Sequence, residues 1–215
     1  MDNLLKRFLI SIFLIPLTFF IIIEGSYLFI FFTILCFCIT IYEWYMMTRD
    51  RFYCYIGCIF FLFSFYIFYR FRIELNFGYV LFITLICIFT DLGGYLFGKI
   101  LKGPKLTKIS PKKTYAGLIG GFLLPLSSLI FLKKMNIILI EINFLSLKIM
   151  LFTFLISLIS QLGDIFISYF KRKAKIKDTG KILPGHGGLL DRIDGMIFAY
   201  PISYILIKLS IFNLY

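Results

Sequence analysis

Long apolar runs separated by short polar joints set the pattern of this chain. They fall at about residues 8–23, 26–44, 53–69, 77–98, 116–132, 146–170 and 194–214, close to the roughly 20 residues that a helix needs to cross a bilayer. The pattern predicts an all-α, polytopic integral membrane protein of about seven transmembrane helices. Only Glu24-Gly25-Ser26 separates the first two runs, so a tight helical hairpin is expected there. Lys6 and Arg7 give residues 1–23 the outline of a secretory signal peptide, but no small-residue cleavage site follows and Pro16 lies inside the run. The segment is therefore read as a span.

Composition agrees. Of 215 residues, 60% are hydrophobic, 20% aromatic and only 16% charged, far from the balance of soluble domains. No internal repeat, low-complexity linker or soluble domain interrupts the chain, so residues 1–215 are read as one membrane domain. Residues 1–76 hold spans with brief joints and no cluster of candidate ligands, which suits a scaffold or dimer surface. Residues 77–215 hold two long basic loops and the strongly placed polar motifs, and are read as the catalytic part.

Charge gives the orientation. With seven spans and a cytoplasmic N-terminus, the inside segments hold Lys6, Arg7, Arg49, Arg51, six lysines from Lys99 to Lys113, and Lys171, Arg172, Lys173, Lys175, Lys177, Lys181 and Arg192, seventeen cations in all. The outside loops hold five, Arg70, Arg72, Lys133, Lys134 and Lys148. Both basic loops are thus expected in the cytoplasm. The net charge of +12 sits in short loops between spans, which points to anionic lipid headgroups and anionic soluble substrates and away from nucleic acid. The five cysteines, Cys36, Cys38, Cys54, Cys58 and Cys87, lie in or beside apolar runs and form no CxxC pair, so they are read as packing residues.

Candidate chemistry gathers between Gln161 and Gly195. Asp164, Ser168 and Lys171 stand at i, i+4 and i+7, on one helix face, and Asp191 and Asp194 stand at i and i+3. Hard carboxylate oxygens from two segments suit Mg²⁺, which usually takes one or two carboxylates while phosphates and waters complete its shell. An ion pair between Asp164 and Lys171 is the structural alternative. His186 lies among Gly180, Pro184, Gly185, Gly187 and Gly188, in a loop able to wrap an anion with backbone N–H groups. Earlier in the chain, Asp91 stands inside an apolar run about two turns before Lys99, at an insertion cost of about 2.5–3.5 kcal/mol. Such a residue has a partner or a task, and Gly93 and Gly94 beside it allow another backbone to come close. Ser110, Pro111, Lys112, Lys113 and Thr114 precede a helix N-terminus and could seat an anion.

The run Ser168-x-x-Lys171-Arg172, Lys177-Asp178-x-Gly180, Leu183-Pro184-x-His186-Gly187-Gly188-Leu189-x-Asp191-Arg192-Ile193-Asp194 resembles the signature of the phosphatidate cytidylyltransferases, or CDP-diacylglycerol synthases. Ser110 through Thr114 and Asp91 through Lys99 look like two further blocks of that family, and Leu5-Lys6-Arg7 with Glu43 resembles its opening spans. The resemblance implies a Mg²⁺-dependent integral enzyme of a bacterial cytoplasmic membrane, commonly a homodimer, that joins CTP to phosphatidate and releases pyrophosphate. It places Asp164, Asp191 and Asp194 at the metal, with K⁺ allowed beside Mg²⁺, and Ser168 and Lys171 next to it. Asp91, Ser110, Lys112, Lys113, Thr114, Ser168, Arg172, His186 and Arg192 are then expected to contact substrate, with Lys112 and Lys113 holding either the lipid phosphate or the triphosphate. Departures are Tyr115 and Ala116 where the family commonly has Trp and Glu, Gly94 where Ala is usual, and Gly195 where Ser is common. A CDP-alcohol phosphatidyltransferase is disfavoured because its D-G-x2-A-R pattern is absent. A transporter whose intramembrane acids carry ions is the remaining alternative, and it would release no pyrophosphate.

Overall fold

The computed structural model describes residues 16–49, 51–75, 77–107, 110, 113–135, 146–182, 187–209 and 212. The described residues form seven helices: α1 (residues 16–24), α2 (Ser26–Thr48), α3 (Tyr53–Glu74), α4 (Phe77–Ile100), α5 (Tyr115–Met135), α6 (Leu147–Lys173) and α7 (Leu190–Lys208). The all-α expectation holds, and each helix overlaps one apolar run. Helices α2, α3, α4 and α6 are long and apolar enough to cross a membrane, with mean hydropathies of 1.9, 1.6, 2.0 and 1.9. The shortest has 22 residues and extends roughly 33 Å at 1.5 Å per residue, against a hydrocarbon core of about 30 Å.

Burial follows the logic of a lipid solvent. Phe31, Ile59 and Phe63 are exposed, while Thr40, Glu43, Thr153, Ser157 and Ser203 are buried. Hydrocarbon tails are as apolar as Leu, so helices associate through close packing and polar contacts instead. Thr33, Thr40, Thr48, Thr84 and Thr90 each donate their hydroxyl to the carbonyl four residues back, at 2.7–2.8 Å.

The chain forms two compact units, one within Met1–Phe77 and Phe170–Asp194, the other within Gly78–Tyr169 and Gly195–Tyr215. In the first unit Trp44 is the packing centre. It is 2% exposed, meets the rings of Phe61 and Phe170 at 5.2 and 5.0 Å, and donates from Nε1 to the Cys54 carbonyl at 3.0 Å. A side chain at Gly57 would collide with its indole. Where a tight helical hairpin was expected after α1, the structure has a one-residue break at Gly25, whose φ of 70° suits glycine. Arg72 of α3 donates to the Ile22 and Ile23 carbonyls at 2.7 and 3.0 Å, satisfying the end of α1.

In the second unit α4 and α5 approach through glycine. A Cβ on Gly93 would collide with the Gly120 carbonyl, whereas one on Gly94 would meet only the Gly117 carbonyl, at 3.7 Å. The Ser157 hydroxyl donates to the Gly121 carbonyl at 2.6 Å and accepts from Thr90 at 3.0 Å, tying α6 to α5 and α4. Thr84 and Tyr200 share a 2.6 Å hydrogen bond between α4 and α7.

Candidate functional site

Two lysine–carboxylate pairs, one in each unit, carry the polar chemistry. In the second unit the basic loop after α4 is pinned before it reaches α5. Leu106 N–H donates to the Lys113 carbonyl at 2.8 Å, and an isolated antiparallel bridge joins Lys105 to Thr114. Thr114 then caps α5, its Oγ1 accepting the Gly117 N–H at 3.1 Å, which satisfies one of the helix's open donors. Ser110 accepts the Lys113 N–H on its carbonyl at 3.0 Å, and its own N–H donates to Thr107 Oγ1 at 3.1 Å. Ser110 and Thr114 therefore shape the loop that presents Lys113.

Lys113 Nζ sits 2.5 Å from Asp164 Oδ2 and 3.5 Å from the Gln161 carbonyl. Ser168 Oγ donates to Asp164 Oδ1 at 3.2 Å, so the i, i+4 relation along α6 is a contact. Both members of the ion pair remain partly accessible, at 23% and 30%.

In the first unit Lys171, from the last turn of α6, meets Asp191 Oδ1 at 2.7 Å. Asp191 stands in the first turn of α7, and its Oδ2 accepts from the N–H groups of Thr179 and Gly188 at 2.8 and 3.1 Å. Burial favours the neutral acid, but the Lys171 ammonium and then the two amides outweigh it, holding this carboxyl below its ordinary range. Asp164 and Lys171 thus take different partners, and the ion pair between them that spacing allowed is replaced by two others.

Glu43 is the residue that spacing did not flag. It is 1% exposed in α2, accepts from Thr179 Oγ1 at 2.9 Å, and accepts from the N–H groups of Leu189 and Leu190 at 3.0 and 2.8 Å. It caps the start of α7 from another helix. Side chains at Gly180 or Gly188 would run into its carboxylate, which explains the glycines there by space. A carboxylate inside an apolar run was the available signal, the same one that singled out Asp91.

Of the other expected residues, Asp194 is buried, and Asp91 and Arg192 are exposed. Arg172 donates to the Ile176 carbonyl at 3.0 Å, in the turn that follows α6. Lys112 and His186 lie outside the described residues.

A scan against protein families matches residues 50–210 to the cytidylyltransferase family. The chain belongs to the cytidylyltransferase family. It is 43% identical over 151 residues to a phosphatidate cytidylyltransferase of Staphylococcus aureus, which covers 67% of this chain and 54% of the relative. A protein of the same name from Staphylococcus saprophyticus is 40% identical over 134 residues, covering 60% and 48%. One from Staphylococcus epidermidis is 42% identical over 145 residues, covering 67% and 54%. The chain spans about half the length of the curated relatives it matches. The cytidylyltransferase match contains every expected site residue and leaves out Glu43, which anchors the matched part from outside it.

The donor set suits a hard cation. Among the described residues no three His, Cys, Asp or Glu side chains are grouped to enclose a metal ion. Mg²⁺ does not need such a cage, since one or two carboxylates with phosphates and waters suffice. Asp164 and Asp191 each already pair with a lysine ammonium, so a metal ion at either carboxylate would share or displace that lysine.

Proposed function

We propose that this chain transfers CMP from CTP to phosphatidate, giving CDP-diacylglycerol and pyrophosphate. The observation that carries the reading is the pair of lysine–carboxylate contacts, Lys113–Asp164 and Lys171–Asp191, at the ends of apolar helices in a chain of this family. A phosphatidate oxygen attacks the α-phosphorus of CTP, a new P–O bond forms, and the bond to pyrophosphate breaks. The nucleophile is already ionised, so the work is alignment and charge neutralisation.

Lys113 and Lys171 supply cations whose counter-charges are already in place, so phosphate can take over their hydrogen bonds without a new ammonium being buried. Arg172 adds charge at the same helix end. Asp164, Asp191 and Asp194 are proposed to hold Mg²⁺, with K⁺ allowed beside it; when bound, Mg²⁺ supplies positive charge against the triphosphate. Ser168 keeps the Asp164 carboxylate oriented. Asp91, Ser110, Lys112, Thr114, His186 and Arg192 are proposed around the substrates, Ser110 and Thr114 by shaping the loop.

The membrane setting completes the reading: seven spans, both basic loops and the site on the cytoplasmic side of a bacterial inner membrane, and a homodimer. Supplying the reconstituted chain with phosphatidate, Mg²⁺ and CTP tests the function. Pyrophosphate release that requires both CTP and phosphatidate is expected, and its absence from a folded preparation would overturn the assignment.

A further inference from the structure

Thr179 joins two enclosed carboxylates of the first unit. Its Oγ1 donates to Glu43 Oε2 at 2.9 Å, and its N–H donates to Asp191 Oδ2 at 2.8 Å. The residue is buried and stands at the unspecified position of Lys177-Asp178-x-Gly180, so neither the sequence pattern nor the reaction proposed above gives it a task.

Inside a helix the direction of an amide is fixed by the helix's own ladder of hydrogen bonds. Thr179 lies beyond the last turn of α6, in a bend outside any helix, where side-chain contacts take over that role. Its own contact is a firm one, because a hydroxyl bonded to a carboxylate is charge-assisted. The surroundings leave little freedom. A Cβ at Gly188 would collide with Thr179 Oγ1 and Glu43 Oε2, one at Gly180 would stand 2.6 Å from Glu43 Oε1, and one at Gly187 would stand 2.9 Å from Asp191 Oδ2. The backbone therefore closes tightly around the series Glu43–Thr179–Asp191.

Asp191 takes its orientation from that series. The amides of Thr179 and Gly188 hold Oδ2, which leaves Oδ1 turned to Lys171 Nζ at 2.7 Å. The Lys171 and Asp191 side chains are only 10% and 4% exposed, so bulk water has little room to replace a lost contact. A shift of the Thr179 amide would rotate the carboxylate and carry Oδ1 away from the lysine. Misplacing a reacting or positioned group by about 1 Å can cost roughly 10²-fold in rate.

We propose that Thr179 is a positioning residue for the CMP transfer: its hydroxyl, held by Glu43, aims its amide at Asp191 and so sets the carboxylate that meets Lys171. The assignment rests on the reaction proposed above, and one arm of its test is independent of turnover.

Thr179→Val keeps the shape and the backbone N–H and removes only the hydroxyl. Glu43 retains the Leu189 and Leu190 amides in this variant, so the start of α7 stays capped. Thr84→Val deletes another buried hydroxyl, the one shared with Tyr200 in the second unit, and is the control for stability lost without positioning. In proteoliposomes Thr179→Val should lower kcat roughly tenfold or more, with KM for CTP and phosphatidate changed by less than about twofold. Thr179→Ser should restore kcat, and Thr84→Val should keep it at a comparable loss of thermal stability. Hydrogen exchange read by mass spectrometry should rise in peptides containing residue 179 in the valine variant and return to the wild-type level in the serine variant. Unchanged kcat in Thr179→Val, an equal fall in Thr84→Val, or unaltered exchange in Thr179→Val would overturn the proposal. An inactive wild-type chain would refute the reaction itself, and the exchange measurement would then decide whether Thr179 aims its amide at Asp191.

Discussion

Asp191 serves the fold and the site together, because one carboxylate holds Lys171, Thr179 and Gly188. Its acidity is strengthened in the folded protein, so it stabilises the fold above the ordinary carboxylate pKa, about 3.9, and that contribution is lost as pH falls toward its folded value. Thermal unfolding followed from pH 7 downward should show stability declining below roughly pH 5, with a shallower decline in Asp191→Asn. Equal slopes would mean that Asp191 does not couple charge to folding. Glu43 makes a sharper case, since three donors converge on it. Glu43→Ala leaves them without their acceptor and should cost at least about 2–3 kcal/mol by chemical denaturation, with loss of turnover, whereas Glu43→Gln keeps one acceptor oxygen and should cost less. Asp164 stood out by its spacing to Ser168 and Lys171, and Asp191 by its spacing to Asp194. Their partners were not legible, since Lys113 lies 51 positions before Asp164 in sequence and only tertiary packing selects it over Lys171.

At the scale of elements, length and apolarity located every described helix, because in a lipid solvent the apolar run is the helix. What the pattern left out is how helices meet. Gly93 and Gly94 read alike in sequence, yet only Gly93 faces the Gly120 carbonyl at a distance that excludes a Cβ. Gly94→Ala should therefore be neutral or stabilising by about 0.5–1 kcal/mol from helix propensity, while Gly93→Ala should lower the melting temperature. Equal effects of the two in a thermal scan would contradict the packing of α4 on α5. The same contrast explains one departure from the family pattern. A serine at Gly195 would press its Cβ into the Ser160 hydroxyl, so glycine there is matched to its neighbour on α6.

For the whole molecule, the sequence expectation divided scaffold from chemistry near residue 76, and the structure adds Glu43 of the scaffold part to the support of the site. That link was hidden because it joins residues 136 or more positions apart. The proposed topology predicts that single cysteines placed at Lys105 and Lys175 in a cysteine-free background label from the same side of the membrane, and one at Lys148 from the other. Labelling of Lys105 and Lys175 from opposite sides would refute seven spans. The central claim is phosphoryl chemistry between CTP and a lipid, and CTP labelled at its α-phosphorus tests it most directly. In proteoliposomes containing phosphatidate, the label should pass into the lipid phase with one pyrophosphate released per transfer, and this should be nearly abolished in folded Asp164→Asn and Asp191→Asn. Label that stays in water, or transfer at the unsubstituted rate in either variant, would contradict the account.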